Sequence, residues 1–196
     1  MHEKYQEQLA LESDYLMQTY GRKPVEFVRG EGVKLWDSEG NEYLDFLSGI
    51  GVVSVGHGNP RVMQAIQGQA ARLLHVSNYY YVEHRGELAQ RISQMLAGET
   101  GATWQTFFTN SGAESNEGAI KLARLWGKGH LDGAFGIVSA VKSFHGRTLA
   151  TLAATAQDNK QDPFAPLPAG FSRTPLNDIE LLCSTVCVRA RMESRC

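Results

Sequence analysis

The sequence predicts an α/β protein, and three observations carry that prediction. Trp104–Thr109, Gly112–Trp126 and Phe135–Val141 read in order as strand, helix and strand, the arrangement of a right-handed βαβ unit in a parallel sheet. Phe135–Val141 is apolar almost throughout, as a strand covered on both faces must be. Ahead of residue 47, three short β-prone pieces are separated by Gly, Asn and Asp, which adds a small antiparallel meander.

Composition agrees with a globular chain and excludes several alternatives. Of 196 residues, 42% are hydrophobic and 20% charged, enough apolar material to bury a core and too regular for disorder. Nineteen basic and 21 acidic side chains leave a net charge of −2, so there is no basic field to attract nucleic acid. No apolar run reaches the roughly 18 residues of a membrane span. The opening MHEKYQEQLALESDY lacks an apolar signal core, and the expected location is cytoplasmic. Cys183, Cys187 and Cys196 all lie in the last 14 residues. Their odd number speaks against a disulfide framework, and a zinc site would lack its fourth ligand, so no metal is expected.

Along the chain, residues 4–17 form a short helix with Leu9, Leu16 and Met17 as its apolar members. Val25–Arg29, Val33–Trp36 and Glu42–Phe46 are the meander strands, divided by Gly30-Glu31-Gly32 and by Asp37–Asn41. The glycine-rich SGIGVVSVGHGNP is a loop, and Pro60 suits the first turn of the next helix, with Val62, Ala65, Ile66, Gln69 and Leu73 as its stripe. Residues 86–97 form a further helix with Leu88, Ile92 and Leu96 four apart. In the βαβ unit the helix presents Ala119, Leu122, Ala123 and Trp126 on one side. Asn177-Asp178-Ile179-Glu180 opens a last helix, and the following CSTVCVRARMESRC shows neither helical nor strand period.

Two loops could carry chemistry. In Asn110-Ser111-Gly112-Ala113-Glu114, Ser111 and Glu114 make a capping box, and the small residues Gly112 and Ala113 leave backbone amides open to an anion. A well-capped helix and nothing more explains the same residues. In Ser143-Phe144-His145-Gly146-Arg147, the aromatic face can cover a flat heterocycle and the arginine fork can hold a carboxylate. A core Phe144 and a surface Arg147 is the plainer alternative. Both loops follow strands of the same parallel unit and so point at one sheet edge. Tyr79, Tyr80 and Tyr81 cannot all face one way; packing in a core or interface is the expectation, with at least one hydroxyl reaching solvent, a partner or a ligand. His57, between two glycines, shows no partner in the sequence.

These residues carry a resemblance. The runs VRGEGVKLWDSEGNEYLDFLSGIGVVSVGHGNP, FFTNSGAESNEGAIKLAR and SFHGRTLATLAAT resemble, in order, the amino-terminal half of a class III (ornithine-type) pyridoxal-phosphate aminotransferase, its acetylornithine branch in particular. The match runs from about Tyr20 to about Ile179. It implies a fold-type-I homodimer with a doubly wound, mostly parallel sheet, whose meander joins a smaller domain. Residues 1–58 would belong to that small domain, 59–182 to a partial cofactor-binding large domain, and 183–196 to an aberrant tail. The resemblance assigns Ser111, Gly112 and Ala113 to the phosphate of pyridoxal 5′-phosphate, Phe144 to its ring and Arg147 to a substrate carboxylate. Glu117, one turn further into the helix, receives no role. The implied reaction moves an amine from an N-acylated ornithine to 2-oxoglutarate in arginine biosynthesis.

In one respect the chain departs from this pattern. The family's Schiff-base lysine and the aspartate facing the pyridine nitrogen belong to a later segment. None of Lys4, Lys23, Lys34, Lys121, Lys128, Lys142 and Lys160 stands in such a context. Strand alternation would put Lys142 and Phe144 on one face, which brings Lys142 nearest the ring. With no catalytic lysine to assign, this chain is expected to be an inactive amino-terminal fragment, its tail the mark of a frameshift or truncation. The alternative is a non-catalytic module that binds a phosphate-bearing ligand or pairs with a full-length subunit. A dinucleotide-binding domain is rejected, because NSGAES supplies one glycine of the required fingerprint.

Overall fold

The computed structural model describes residues 3–98 and 101–193, and the chain divides into two units, Met1–Val82 and Glu83–Cys196. The first contains α1 (Glu3–Tyr15), β1 (Phe27–Glu31), β2 (Lys34–Asp37), β3 (Glu42–Leu44), α2 (Ser48–Gly51) and α3 (Pro60–Arg72). As the turn residues require, β1, β2 and β3 form an antiparallel meander. Cross-strand pairs tie it together: Arg29 lies 3.6 Å over the Trp36 ring, Phe27 meets Tyr43 edge-on at 5.3 Å, and Lys34 pairs with Glu42 at 2.9 Å.

The turn between β2 and β3 is organised by the buried carboxylate of Asp37. It accepts from the backbone N–H of Glu39 and Asn41, the Asn41 side-chain amide and the Tyr43 hydroxyl, at 2.8 to 3.0 Å. The Asn41 amide is the largest cause that pulls this carboxyl down to about 2, against the opposing effect of burial. Because the folded value lies below the ordinary 3.8, this contribution to stability is complete above about pH 4 and is lost as the pH falls through about 2. Acid titration followed at the Asn41 amide should show that loss, and Asp37→Asn should flatten it.

The glycine-rich segment after β3 is a loop with a single tight turn, α2, in which Gly49 and Ile50 have left-handed dihedrals. Asp45 holds it, accepting from the N–H of Leu47 (2.9 Å) and Ser48 (2.8 Å). The partner that the sequence does not reveal for His57 is the same Asp45, 2.7 Å from Nε2. His57 is the first cause that holds the Asp45 carboxyl below its ordinary value. Helix α3 starts as its residues dictate, with Asn59 Oδ1 accepting from Arg61 and Val62 N–H and Pro60 in the first turn. Tyr79, Tyr80 and Tyr81 stand exposed, so core packing is not their role within this unit.

The second unit contains α4 (Arg85–Ala97), α5 (Gly112–His130), β4 (Ile137–Ala140), α6 (Leu149–Ala154), α7 (Asp158–Gln161), a 3₁₀ turn (Asp162–Phe164), β5 (Phe171–Thr174) and α8 (Ile179–Glu193). The parallel pair here is β4–β5, in register from Ile137↔Phe171 to Ala140↔Thr174. Trp104–Thr109 is neither helix nor strand, which corrects the expected first strand. A strand needs a ladder, and none of the described segments offers this one a partner. Instead the Trp104 N–H donates to Ser93 Oγ on α4 at 2.9 Å, and the Phe107 ring lies against Gly118 of α5.

The core sits around α6, which packs against α5, β4 and β5. Thr151 to Ala154 are all buried, as are Thr155 and Ala156. Gln161 Nε2 caps the end of α6, donating to the carbonyls of Leu152, Ala153 and Thr155. The buried positions of α5 are Ile120 and Gly127, and the expected stripe of Ala119, Leu122, Ala123 and Trp126 is exposed, Leu122 at 68% and Trp126 at 53%, as is Leu125 beside it. A helix apolar on both sides does not announce which side its neighbours cover. At Gly127 an added Cβ would run into the Ala134 carbonyl oxygen, so the helix and the chain returning to β4 meet at a point only glycine allows.

Helix α8 opens as expected, with Asp178 Oδ1 accepting from Leu181 N–H at 2.9 Å, and continues to Glu193 through residues without an apolar period. Periodicity reports burial, whereas Arg189, Arg191, Met192 and Glu193 are helix formers in their own right. Cys183 is an exposed free thiol; the Cys187 side chain and the whole of Cys196 lie outside the described residues. Among those residues no helix is long and apolar enough to cross a membrane, and no cluster of His, Cys, Asp or Glu could hold a metal ion.

Candidate functional site

Ser111 is the N-cap of α5, extended in backbone, with Oγ accepting from Glu114 N–H at 3.1 Å. The reciprocal bond is displaced by one residue from the expected box. Glu114 Oε2 accepts from the Asn110 N–H (2.7 Å) and side-chain amide (3.0 Å) rather than from Ser111. Thr109 and Ser115 close the turn through their hydroxyls, 2.5 Å apart, both within reach of the Ser111 carbonyl. With Glu114 N–H capped, the N–H groups of Gly112 and Ala113 have no acceptor among the described residues, and nothing lies within 4 Å of a Cβ added at Gly112. A helix of 19 residues therefore begins with two open donors and the favourable end of its dipole. Ser111→Ala should cost about 1 kcal/mol by removing the cap, measurable by urea denaturation.

Past β4 the chain turns at once. Ser143 N–H donates to the Ala140 carbonyl at 3.1 Å, and Lys142 adopts a left-handed φ of 63°. The strand alternation expected to put Lys142 beside Phe144 is thus broken at Lys142 itself. The loop that follows is anchored from both sides. His145 N–H donates to Thr155 Oγ1 at 2.9 Å, its carbonyl accepts from Asn116 Nδ2 at 2.8 Å, and the Ser143 carbonyl accepts from Gln157 Nε2 at 3.0 Å. Gly146, with φ of 142°, is buried against α5: a Cβ there would meet Ala113 Cβ at 2.8 Å and Thr151 Oγ1 at 2.6 Å.

That contact brings the two predicted loops together although their strands form no ladder. Ser111, Gly112 and Ala113 lie at the start of α5, and Phe144 and Arg147 flank the glycine packed against Ala113. Phe144 is 63% exposed, so it is not the core residue of the plainer alternative, and Arg147 Cζ lies 4.9 Å from its ring centroid. The sequence reading missed the residues that hold the loop in place, Asn116, Thr155 and Gln157. Nothing local marks them, since each acts on a backbone group 10 residues or more away.

A model of the family described as aminotransferase class-III matches residues 15–193. The chain is 49% identical over 179 residues to an acetylornithine aminotransferase of Caldanaerobacter subterraneus, a match covering 91% of this chain and 44% of that protein. It is also 49% identical over 173 residues to an acetylornithine aminotransferase of Methanocaldococcus jannaschii, covering 88% and 42%. Among solved structures, the ornithine aminotransferase of Toxoplasma gondii superposes with a TM-score of 0.85 at 27% identity, covering 93% of this chain and 43% of that one. The acetylornithine aminotransferase of Elizabethkingia anophelis does so with a TM-score of 0.71 at 31% identity, covering 94% and 41%. The chain spans less than half the length of the curated relatives it matches.

Proposed function

The chain belongs to the class-III aminotransferases, and on that premise we propose that it is the amino-terminal portion of an enzyme that moves an amine from an N-acylated ornithine to 2-oxoglutarate with pyridoxal 5′-phosphate. The relatives named above, of whose length the chain covers 41% to 44%, support this reading. A cytoplasmic homodimer serving arginine biosynthesis is carried over with it. The observation that carries the site is the packing of Gly146 on Ala113, which sets an open N–H pair beside an exposed aromatic ring and an arginine.

The residues fit the cofactor. The Gly112 and Ala113 N–H groups and the Ser111 hydroxyl would bind the phosphate, whose charge the α5 terminus favours. Phe144 would cover one face of the pyridine ring, and the Arg147 guanidinium would take a carboxylate of the amino acid in bidentate fashion. When bound, the cofactor supplies an electron sink for the pair left at the substrate carbon that bears the amine. The residues assigned here bind and orient, and none of them moves a proton at that carbon. No lysine lies within 110–117 or 143–148, and the one next to the second loop, Lys142, ends a left-handed turn. The chain alone is therefore expected to bind without transaminating.

Calorimetric titration tests this with ligands that cannot react with surface lysines. Pyridoxine 5′-phosphate is expected to bind at least about tenfold tighter than pyridoxine, a difference carried by the helix terminus. Equal affinity for the two would overturn the site, and turnover of acetylornithine by the isolated chain would overturn its inactivity. The exposed Leu122, Leu125 and Trp126 favour pairing with further polypeptide. The alternative of a subunit-pairing module shares that feature and differs in requiring no lysine anywhere.

A further inference from the structure

Asn116 and Glu117 are neighbours one turn into α5, and each holds one end of the Gly146–Arg147 step. Asn116 Nδ2 donates to the His145 carbonyl at 2.8 Å. Glu117 Oε1 accepts from the Thr148 hydroxyl and from Thr151 N–H, the latter at 3.3 Å. Thr148 is the N-cap of α6, yet its own side chain makes no capping bond. The carboxylate from α5 answers the free N–H of the first turn instead, and its charge suits that end of the helix. Arg147 is thus strung between two tethers to the helix whose first turn carries the open N–H pair of Gly112 and Ala113. The tethers stand about 6 Å along the helix axis from that pair, at about 1.5 Å per residue.

We infer that Asn116 and Glu117 are positioning residues that fix Arg147 relative to the N-terminus of α5, so that one ligand bearing a phosphate and a carboxylate is held at both ends. The inference rests on the proposed function, because it takes that terminus as the phosphate site. It gives a role to Glu117, which the sequence leaves without one. Phe144 is held on either side by Gln157 at the Ser143 carbonyl and Thr155 at the His145 N–H, so its stacking and a bound phosphate do not depend on the two tethers, whereas the carboxylate contact requires both.

Two stable secondary amines isolate that contact: phosphopyridoxyl-5-aminopentanoate, which carries its carboxylate at the far end of the chain as an N-acylated ornithine does, and phosphopyridoxyl-butylamine, which lacks only that carboxylate. Wild-type chain is expected to bind the first about tenfold tighter. In Asn116→Ala and in Glu117→Ala that preference should fall to within about twofold, with affinity for the butylamine adduct unchanged to about twofold. Glu117→Gln, which keeps an acceptor oxygen for Thr148 and Thr151, should retain most of it. In an Arg147→Ala background Asn116→Ala should change nothing further. Without ligand, the His145 amide should exchange about tenfold faster in Asn116→Ala and the Thr151 amide about tenfold faster in Glu117→Ala, while those of β4 do not change. A carboxylate preference that survives both alanine variants, or unchanged exchange at His145 and Thr151, would overturn the inference. Failure of the wild type to bind either adduct would overturn the cofactor reading instead, and the exchange rates alone would then decide the tethers.

Discussion

Gly146→Ala should destabilise the second unit by about 3 kcal/mol, combining about 1–3 for a side chain at a glycine-only φ with about 1–3 for overpacking. The new methyl would stand 2.6 Å from Thr151 Oγ1, 2.8 Å from Ala113 Cβ and 3.0 Å from Thr151 Cβ. Neither neighbour can yield, since Ala113 Cβ is fixed to the α5 backbone and Thr151 is wholly buried. The loop must therefore lift from the helix, which separates Phe144 and Arg147 from Gly112 and Ala113. Urea denaturation of the full chain, together with titration of pyridoxine 5′-phosphate, should show stability and affinity falling together. A loss below about 1 kcal/mol would mean that the close approach is not there.

Thr155→Val should cost about 2 kcal/mol although it preserves shape, because it strands a buried donor. Thr155 is fully buried, and its Oγ1 accepts from His145 N–H at 2.9 Å while donating to the Thr151 carbonyl, also at 2.9 Å. Valine fills the same volume and answers neither group. Thr155→Ser keeps the hydroxyl and removes one methyl, which should cost about 0.8 kcal/mol. Denaturation of both variants, with hydrogen exchange at the His145 amide, separates the two mechanisms. A serine variant less stable than the valine one would show that the methyl rather than the hydroxyl secures the loop.

What the sequence makes legible is the physics of near neighbours. Asn59 before Pro60, Ser111 three residues before Glu114, and Asp178 before Ile179 each begin a helix because the partners lie within one turn. The meander follows from its turn residues for the same reason. Long-range partners leave no such mark. Asp45 finds His57 12 residues on, Asn116 finds His145 29 residues on, and Glu117 caps a helix that begins beyond residue 148. Helix α6 escapes detection because six residues of small and apolar type carry no period, and its ends are capped from elsewhere by Glu117 and Gln161. The buried side of α5 is illegible for another reason. Apolar residues surround it, and the neighbours present decide which of them are covered.

The site itself was legible in its chemistry and not in its assembly. The cap residues, the aromatic ring and the arginine are visible as residue types, whereas the contact that joins them is a glycine against an alanine. The most direct test of the central claim is an amide chemical-shift titration of the isotope-labelled chain with pyridoxine 5′-phosphate. The account requires saturable shifts at the Gly112 and Ala113 N–H groups, absent with unphosphorylated pyridoxine and accompanied by a shift at the Phe144 N–H. Shifts confined to other residues, or equal shifts with and without the phosphate, would contradict it.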